Sequence, residues 1–227
     1  MLEVVDVTKK FGNRVVLNSV SLNVRKGEIR VIIGVNGSGK STLLKIIAGI
    51  LKADSGAVRV NGEDITNLPP EDRRVGYVPQ HPALFNHLNV EENIKYSLKN
   101  GRGSEDIFVK IVEMLKLESF LKMMPNELSG GYKSRVSLAR ALFSQPSVML
   151  LDEPLSDVDL ANKEELLPEF RRILKTMNVP VLYVTHDSWE AEMIGDTFSI
   201  MANGVIRDAE SASKAFEVIR STRLIKT

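Results

Sequence analysis

The sequence predicts an α/β fold, a mostly parallel sheet covered by helices on both faces. Three observations predict it. Short apolar runs at residues 29–33, 148–151, 181–184 and 198–201 have the length of buried strands. Stretches of helical periodicity separate them, and strands alternating with helices imply a parallel sheet with both faces buried. Finally, 43% of the 227 residues are apolar, enough for one substantial core.

The elements follow in order. Residues 2–7 and 15–24 show rough apolar alternation with Gly12-Asn13 between them, and read as paired strands. The strand at 29–33 runs into a glycine-rich turn and then an apolar helix over 41–51. Residues 58–60 and 75–78 read as short strands divided by a Pro69-Pro70 turn. From about residue 90 to 128 the period is helical. Ile107, Ile111, Met114 and Leu115 share one face, with Lys110, Glu113 and Lys116 opposite. Residues 101–104 and 126–131 are loops, and the second leads into a helix reaching about residue 143. Strand 148–151 reopens the alternation. A helix over 164–177 carries Leu167, Phe170, Ile173, Leu174 and Met177 along one side, and Pro168 must sit near its start or kink it. Strands at 181–184, at 198–201 and near 205–207 complete the reading. The helical middle, 86–145, reads as a subdomain inserted into a core formed by 1–85 and 146–227.

Composition narrows the function. Lys and Arg total 30 against 29 Asp and Glu, and a net charge of +1 gives no general attraction to nucleic acid. There is no cysteine, which excludes disulfides, thiolate metal sites and cysteine nucleophiles. The opening MLEVVDVTKK carries acids and no apolar signal core. No segment approaches the roughly 20 apolar residues of a membrane span. A soluble protein is expected, anchored by other chains if it works at a membrane.

Gly34-Val35-Asn36-Gly37-Ser38-Gly39-Lys40-Ser41 fits G-x-x-x-x-G-K-[ST], and it follows an apolar strand and opens a helix. Glycines let backbone N–H groups approach a phosphate without a Cβ clash, and the helix start favours an anion. Lys40 is expected to reach the β- and γ-phosphates of ATP, and the Ser41 hydroxyl to ligate Mg²⁺. A second signal is VMLLDEP, 148–154, where two carboxylates follow a buried strand. That strand end is where ligands bind in open parallel sheets. Asp152 suits a Mg²⁺ contact and Glu153 a general base. A polar strand end means little alone; beside a phosphate loop it reads as catalytic.

LSGG at 128–131, placed before RVSLARAL and VMLLDEP, resembles the ATP-binding-cassette ATPase family. The resemblance covers essentially the whole chain. It implies a P-loop NTPase fold of the RecA-like type, with an N-terminal antiparallel β-subdomain and the inserted helical subdomain. It also implies site residues. Phe11 and Val16 would lie against adenine, and Gly34, Asn36, Gly37, Ser38, Gly39, Lys40, Ser41 and Thr42 around the phosphates. Gln80 matches the Q-loop, touching Mg²⁺ and the attacking water. Residues 156–159 match the D-loop, ending on Asp159, and His186 matches the switch histidine. Without the resemblance, Phe11 and His186 would read as core residues and Gln80 as a loop residue; His81 and His87 carry no assigned chemistry. Ser129, Gly130 and Gly131 would complete the site of a second copy bound head to tail, with Ser129 a good helix N-cap. One position departs from the family pattern: Tyr132 stands where a glutamine usually follows LSGG.

Residues 68–88 resemble importers that use a separate substrate-binding protein, closest to the molybdate/tungstate group; sulfate, polyamine, iron and sugar importers share much of this stretch. The implied partners are a second ATPase subunit, transmembrane permease subunits met at about 81–96, and indirectly the binding protein. The implied location is the cytoplasmic face of the membrane. Too few residues are expected after the last strand for a regulatory β-domain. A cassette ATPase acting on nucleic acid or ribosomes is the rival reading, and a regulator without turnover is argued against by Lys40, Asp152, Glu153 and His186.

Overall fold

In the computed structural model, which describes residues 1–224, two sheets lie against each other. The first is antiparallel. Strands β1 (Leu2–Phe11) and β2 (Arg14–Val24) form a hairpin around Gly12-Asn13, and β4 (Ser55–Val60) and β5 (Glu63–Asp64) extend it in the order β2-β1-β4-β5. Strand β1 continues past the expected residue 7. The ladder slips between Val4 and Val7 and again before Lys9, and a bulge breaks the alternation without ending the strand.

The second sheet contains β3 (Ile29–Ile33), β6 (Val75–Val78), β7 (Val148–Asp152), β8 (Val181–Thr185), β9 (Thr197–Ala202) and β10 (Val205–Ala209). The order is β10-β9-β3-β8-β7-β6, parallel except for the β9–β10 pair. Both faces are buried. Ile32, Leu150, Leu182 and Val184 face the first sheet and helix α1 (Lys40–Ile47). Val31, Met149, Leu151, Val181 and Tyr183 face the opposite cluster. This two-sided burial is why 148–151 in β7 and 181–184 in β8 read as unbroken apolar runs.

Between β6 and β7 lie α2 (Val90–Ile94), α3 (Glu105–Met114) and α4 (Gly130–Phe143). The buried stripe of α3 is Phe108, Ile111 and Val112, continued by Leu115. Ile107 and Met114, expected on that stripe, are only half-buried. Phe108 displaces them because its ring meets Phe143 edge-on at 6.3 Å. Val90, Ile94, Phe108 and Leu128 belong to one apolar cluster with Met149 and Tyr183, so the helical segment shares its core with the sheet.

Helix α5 spans Leu160–Met177, starting earlier than read, because Asp159 caps it by accepting from Asn162 N at 3.1 Å. Pro168 therefore lies within the helix, away from its start. Helices α6 (Ser188–Ile194) and α7 (Ala212–Leu224) lie outside the elements read from the sequence.

Helix α1 stops at Ile47 because Gly49 turns the chain at φ 81° and a buried guanidinium takes the helix carbonyls. Arg73 donates to Ile46 O at 2.8 Å, Ile47 O at 3.1 Å, Leu68 O at 2.7 Å and Thr66 O at 2.6 Å. Arg73→Ala orphans several of these carbonyls at once. A loss of about 3 kcal/mol of unfolding free energy is expected, read by urea denaturation.

Candidate active site

The loops after β3, β6, β7 and β8 leave the second sheet on one edge, because these four strands are parallel and adjacent, with Ile33 in register with Thr185 and Asp152 with Val184. Most of the expected residues sit in these loops. A cavity of about 330 Å³ opens there, bounded by Phe11, Arg14, Val16, Asn36, Gly37, Gly39, Lys40, Ser41, Thr42, Gln80 and Glu153.

The glycine loop closes tightly. Gly39 adopts φ 110°, and a Cβ there would fall 2.8 Å from Val16 O. A side chain on Gly34 would fall 2.4 Å from Met201 O. Only glycine fits either place, so the loop curls back on the hairpin and leaves the N–H groups at the start of α1 open to an anion. The Ser38 hydroxyl is buried and lacks a hydrogen-bond partner. A buried orphan of this kind marks a place where a ligand oxygen completes the bonding.

Lys40 is buried. Its ammonium donates to Gly34 O at 2.8 Å and Val35 O at 3.1 Å, and lies 3.8 Å from Glu153 Oε1. Burial lowers its pKa from the ordinary lysine value, against the pull of Glu153 and then Asp152. Ser41 Oγ donates to Asp152 Oδ1 at 2.9 Å, and Tyr77 Oη donates to Asp152 Oδ2 at 3.1 Å. Burial raises the Asp152 pKa, and those two hydrogen bonds oppose the rise.

Glu153 is buried, with φ 47°, a left-handed conformation that costs a non-glycine residue energy. Its N–H donates to Val184 O at 3.0 Å, which pins the backbone, and its Oε2 lies 2.7 Å from Nδ1 of His186. The carboxylate is thus held between a lysine on one side and an imidazole on the other.

Ser129, Gly130, Gly131 and Asp159 do not line this cavity. Ser129 occupies the N-cap position of α4, yet its hydroxyl makes no capping bond, contrary to the expectation from its residue type. The Asp159 carboxylate is engaged by Asn162, through the backbone N–H and through Nδ2 at 2.6 Å. Tyr132 turns into its own chain, its ring centroid 3.9 Å from that of Phe120.

Two lining or supporting residues escape sequence reasoning. Arg14 carries no motif; it reaches the cavity because it pairs with Phe11 across the hairpin. Tyr77 shares its strand face with Val75, since both pack on the same apolar cluster, but nothing local announces that its hydroxyl reaches the neighbouring strand's Asp152.

Comparison with known proteins gives concordant results. The ABC transporter family model matches residues 17–156. A molybdate/tungstate import ATP-binding protein of Archaeoglobus fulgidus is 48% identical over 188 residues, covering 82% of this chain and 78% of that protein. A protein of the same description from Methanocaldococcus jannaschii is 49% identical over 192 residues, and the chain spans 63% of its length. A sulfate/thiosulfate import ATP-binding protein of Shewanella oneidensis is 40% identical over 224 residues, 95% of this chain and 63% of that protein. Among solved structures, a dimeric post-hydrolysis ATP-binding cassette bound to ADP and phosphate superimposes with a TM-score of 0.82 at 30% identity, over 93% of this chain and 99% of that one. The ADP conformation of a cassette of an ABC transporter gives 0.86 at 28% identity, over 100% of this chain and 97% of that one.

Proposed function

The chain belongs to the ABC transporter family, and from that membership we propose that it is the ATP-hydrolysing subunit of an importer for a small oxyanion of the molybdate or tungstate type. The observation that carries the catalytic part is that Lys40, Ser41 and Glu153 line the phosphate-loop cavity, with Asp152 bonded to Ser41 and His186 to Glu153 just behind them. The cargo part rests on the identity to molybdate/tungstate import proteins, which exceeds that to the sulfate/thiosulfate protein.

Adenine stacks on the half-exposed Phe11, with Val16 beside it. The phosphates lie along residues 34–42, where Lys40 exchanges its loop carbonyls for phosphate oxygens. Ser41, Asp152 and Gln80 offer a hydroxyl, a carboxylate and an amide oxygen, the hard donors that suit Mg²⁺. When bound there, Mg²⁺ neutralises charge on the β- and γ-phosphates. Glu153 takes a proton from the water whose oxygen attacks the γ-phosphorus, and the bond to the ADP oxygen breaks. His186 holds the Glu153 carboxylate and reaches the γ-phosphate.

Tyr77 keeps Asp152 oriented toward Ser41. Tyr77→Phe removes that hydroxyl and is expected to raise the Mg²⁺ concentration for half-maximal nucleotide binding roughly tenfold. A Mg²⁺ titration of ATP binding checks this.

Ser129–Gly131 stand away from their own chain's cavity, which supports a second copy bound head to tail, each chain completing the other's site. No helix among the described residues is long and apolar enough to cross a membrane. The importer reading makes the chain a peripheral subunit on permease partners, at the cytoplasmic face. Residues 81–96 and the helical segment 86–145 receive them, and ATP-driven dimer closure rocks the permease subunits. A substrate-binding protein delivers the cargo, and nucleic acid plays no part.

Uptake of labelled molybdate by vesicles holding the assembled transporter tests the cargo. ATP-dependent accumulation of molybdate in preference to sulfate is expected, and the reverse preference refutes it.

A further inference from the structure

We propose that His81 and Asp157 form a clasp that ties the nucleotide cavity to the start of α4, so that the two half-sites of one chain move together. His81 Nδ1 lies 3.0 Å from Asp157 Oδ2, across 76 residues of sequence. Beside this contact, Ser156 Oγ donates to Gln80 O at 3.4 Å. Two adjacent residues of one loop thus meet two adjacent residues of another. Gln80 lines the cavity, so one side of the clasp is anchored at the nucleotide.

The other side is anchored at α4. The carbonyl oxygen of Asp157 sits so close to Gly130 that a Cβ there would lie 2.6 Å from it. Asp157 therefore touches His81 with its side chain and the first residue of α4 with its backbone. The loop that carries it is tied to the candidate base as well, since Ser156 N donates to Glu153 O at 3.1 Å. A displacement of Gln80 on nucleotide binding reaches Asp157 through two contacts, and Asp157 cannot shift without pressing on or leaving Gly130.

The two side chains are 78% and 46% exposed, and an exposed polar contact of this kind adds little stability. Its effect is on position. His81 and Asp157 are positioning residues, acting through Gln80 and Gly130, and neither touches the reacting atoms. The proposal rests on the ATP-hydrolysing reading of the same site.

The test is a double-mutant cycle on the full chain: His81→Ala, Asp157→Ala, the double variant, and the swap His81→Asp with Asp157→His. ATP affinity, kcat and the unfolding midpoint are measured for each. Expected is an unchanged affinity and midpoint, a kcat lowered about fivefold by each single change, a double variant no slower than the slower single, and recovery of most of the loss by the swap. Wild-type kcat in both single variants overturns the clasp. So does a double loss equal to the product of the singles, or a kcat loss matched by lost affinity or a lowered midpoint. A wild-type chain without turnover fails the ATPase reading instead, so the two failures are distinguishable.

Discussion

Glu153→Gln binds ATP, hydrolyses it about 10²–10⁴ times more slowly than the wild type and accumulates as an ATP-bound dimer. The amide keeps the shape of the side chain and can still accept a hydrogen bond from His186, so the pocket survives. It cannot take a proton from water. The geometry argues for this role beyond the residue type. Glu153 is held at φ 47° and buried, and its Oε2 is fixed 2.7 Å from His186 Nδ1. Backbone strain of this kind persists only where surrounding structure enforces it. Here the bond from Glu153 N to Val184 O does so. Single-turnover phosphate release, with sedimentation of the ATP-bound variant, checks both halves. Turnover at the wild-type rate removes Glu153 from the chemistry.

Lys40→Met loses ATP affinity by about a hundredfold or more, because it deletes the buried cation of the phosphate loop. The same change raises stability without nucleotide. Burial depresses the Lys40 pKa from 10.5, so the folded chain carries the cost of a desolvated ammonium. With the folded pKa below the unfolded one, that cost is present at neutral and acid pH. It fades as the pH rises through the depressed value toward 10.5. An uncharged side chain of similar length escapes it. The unfolding midpoint of nucleotide-free Lys40→Met is expected above that of the wild type near neutral pH, with the gap narrowing as the pH approaches 10.5. A lower midpoint contradicts the view that the lysine is held at a cost to stability for the sake of the phosphate.

How much of this was legible in the sequence varies with the range of the interaction. Strands 148–151 and 181–184 announce themselves because both their faces are buried, and the residues there are accordingly all apolar. The phosphate loop is legible because glycine positions, lysine and helix start are contiguous. Strand β1 is underread because its bulge breaks the period that identifies a strand. Helix α7 is missed, although Ala212, Ala215, Phe216 and Ile219 recur at helical spacing along the side that packs on the core. The site shows the same division. Lys40, Ser41 and Glu153 belong to local motifs, whereas Arg14, Tyr77 and Asp157 gain their meaning from partners in other elements. The N-cap reading of Ser129 fails differently. The position is right, but its hydroxyl is left free of the helix it begins.

We propose a cavity completed by a second copy, and mixing two defective chains tests that directly. Lys40→Ala spoils the phosphate loop but keeps residues 129–131. Gly131→Asp keeps the loop and sets a carboxylate where a second copy's phosphate belongs; a Cβ at Gly131 meets nothing closer than Leu166 Cδ1 at 3.6 Å, so the chain tolerates it. Each variant alone is expected to be nearly inactive. An equal mixture should recover about a quarter of wild-type turnover, because half the dimers then pair one intact loop with one intact 129–131 segment. Wild-type turnover by Gly131→Asp alone, or no recovery on mixing, contradicts a site completed by a second copy.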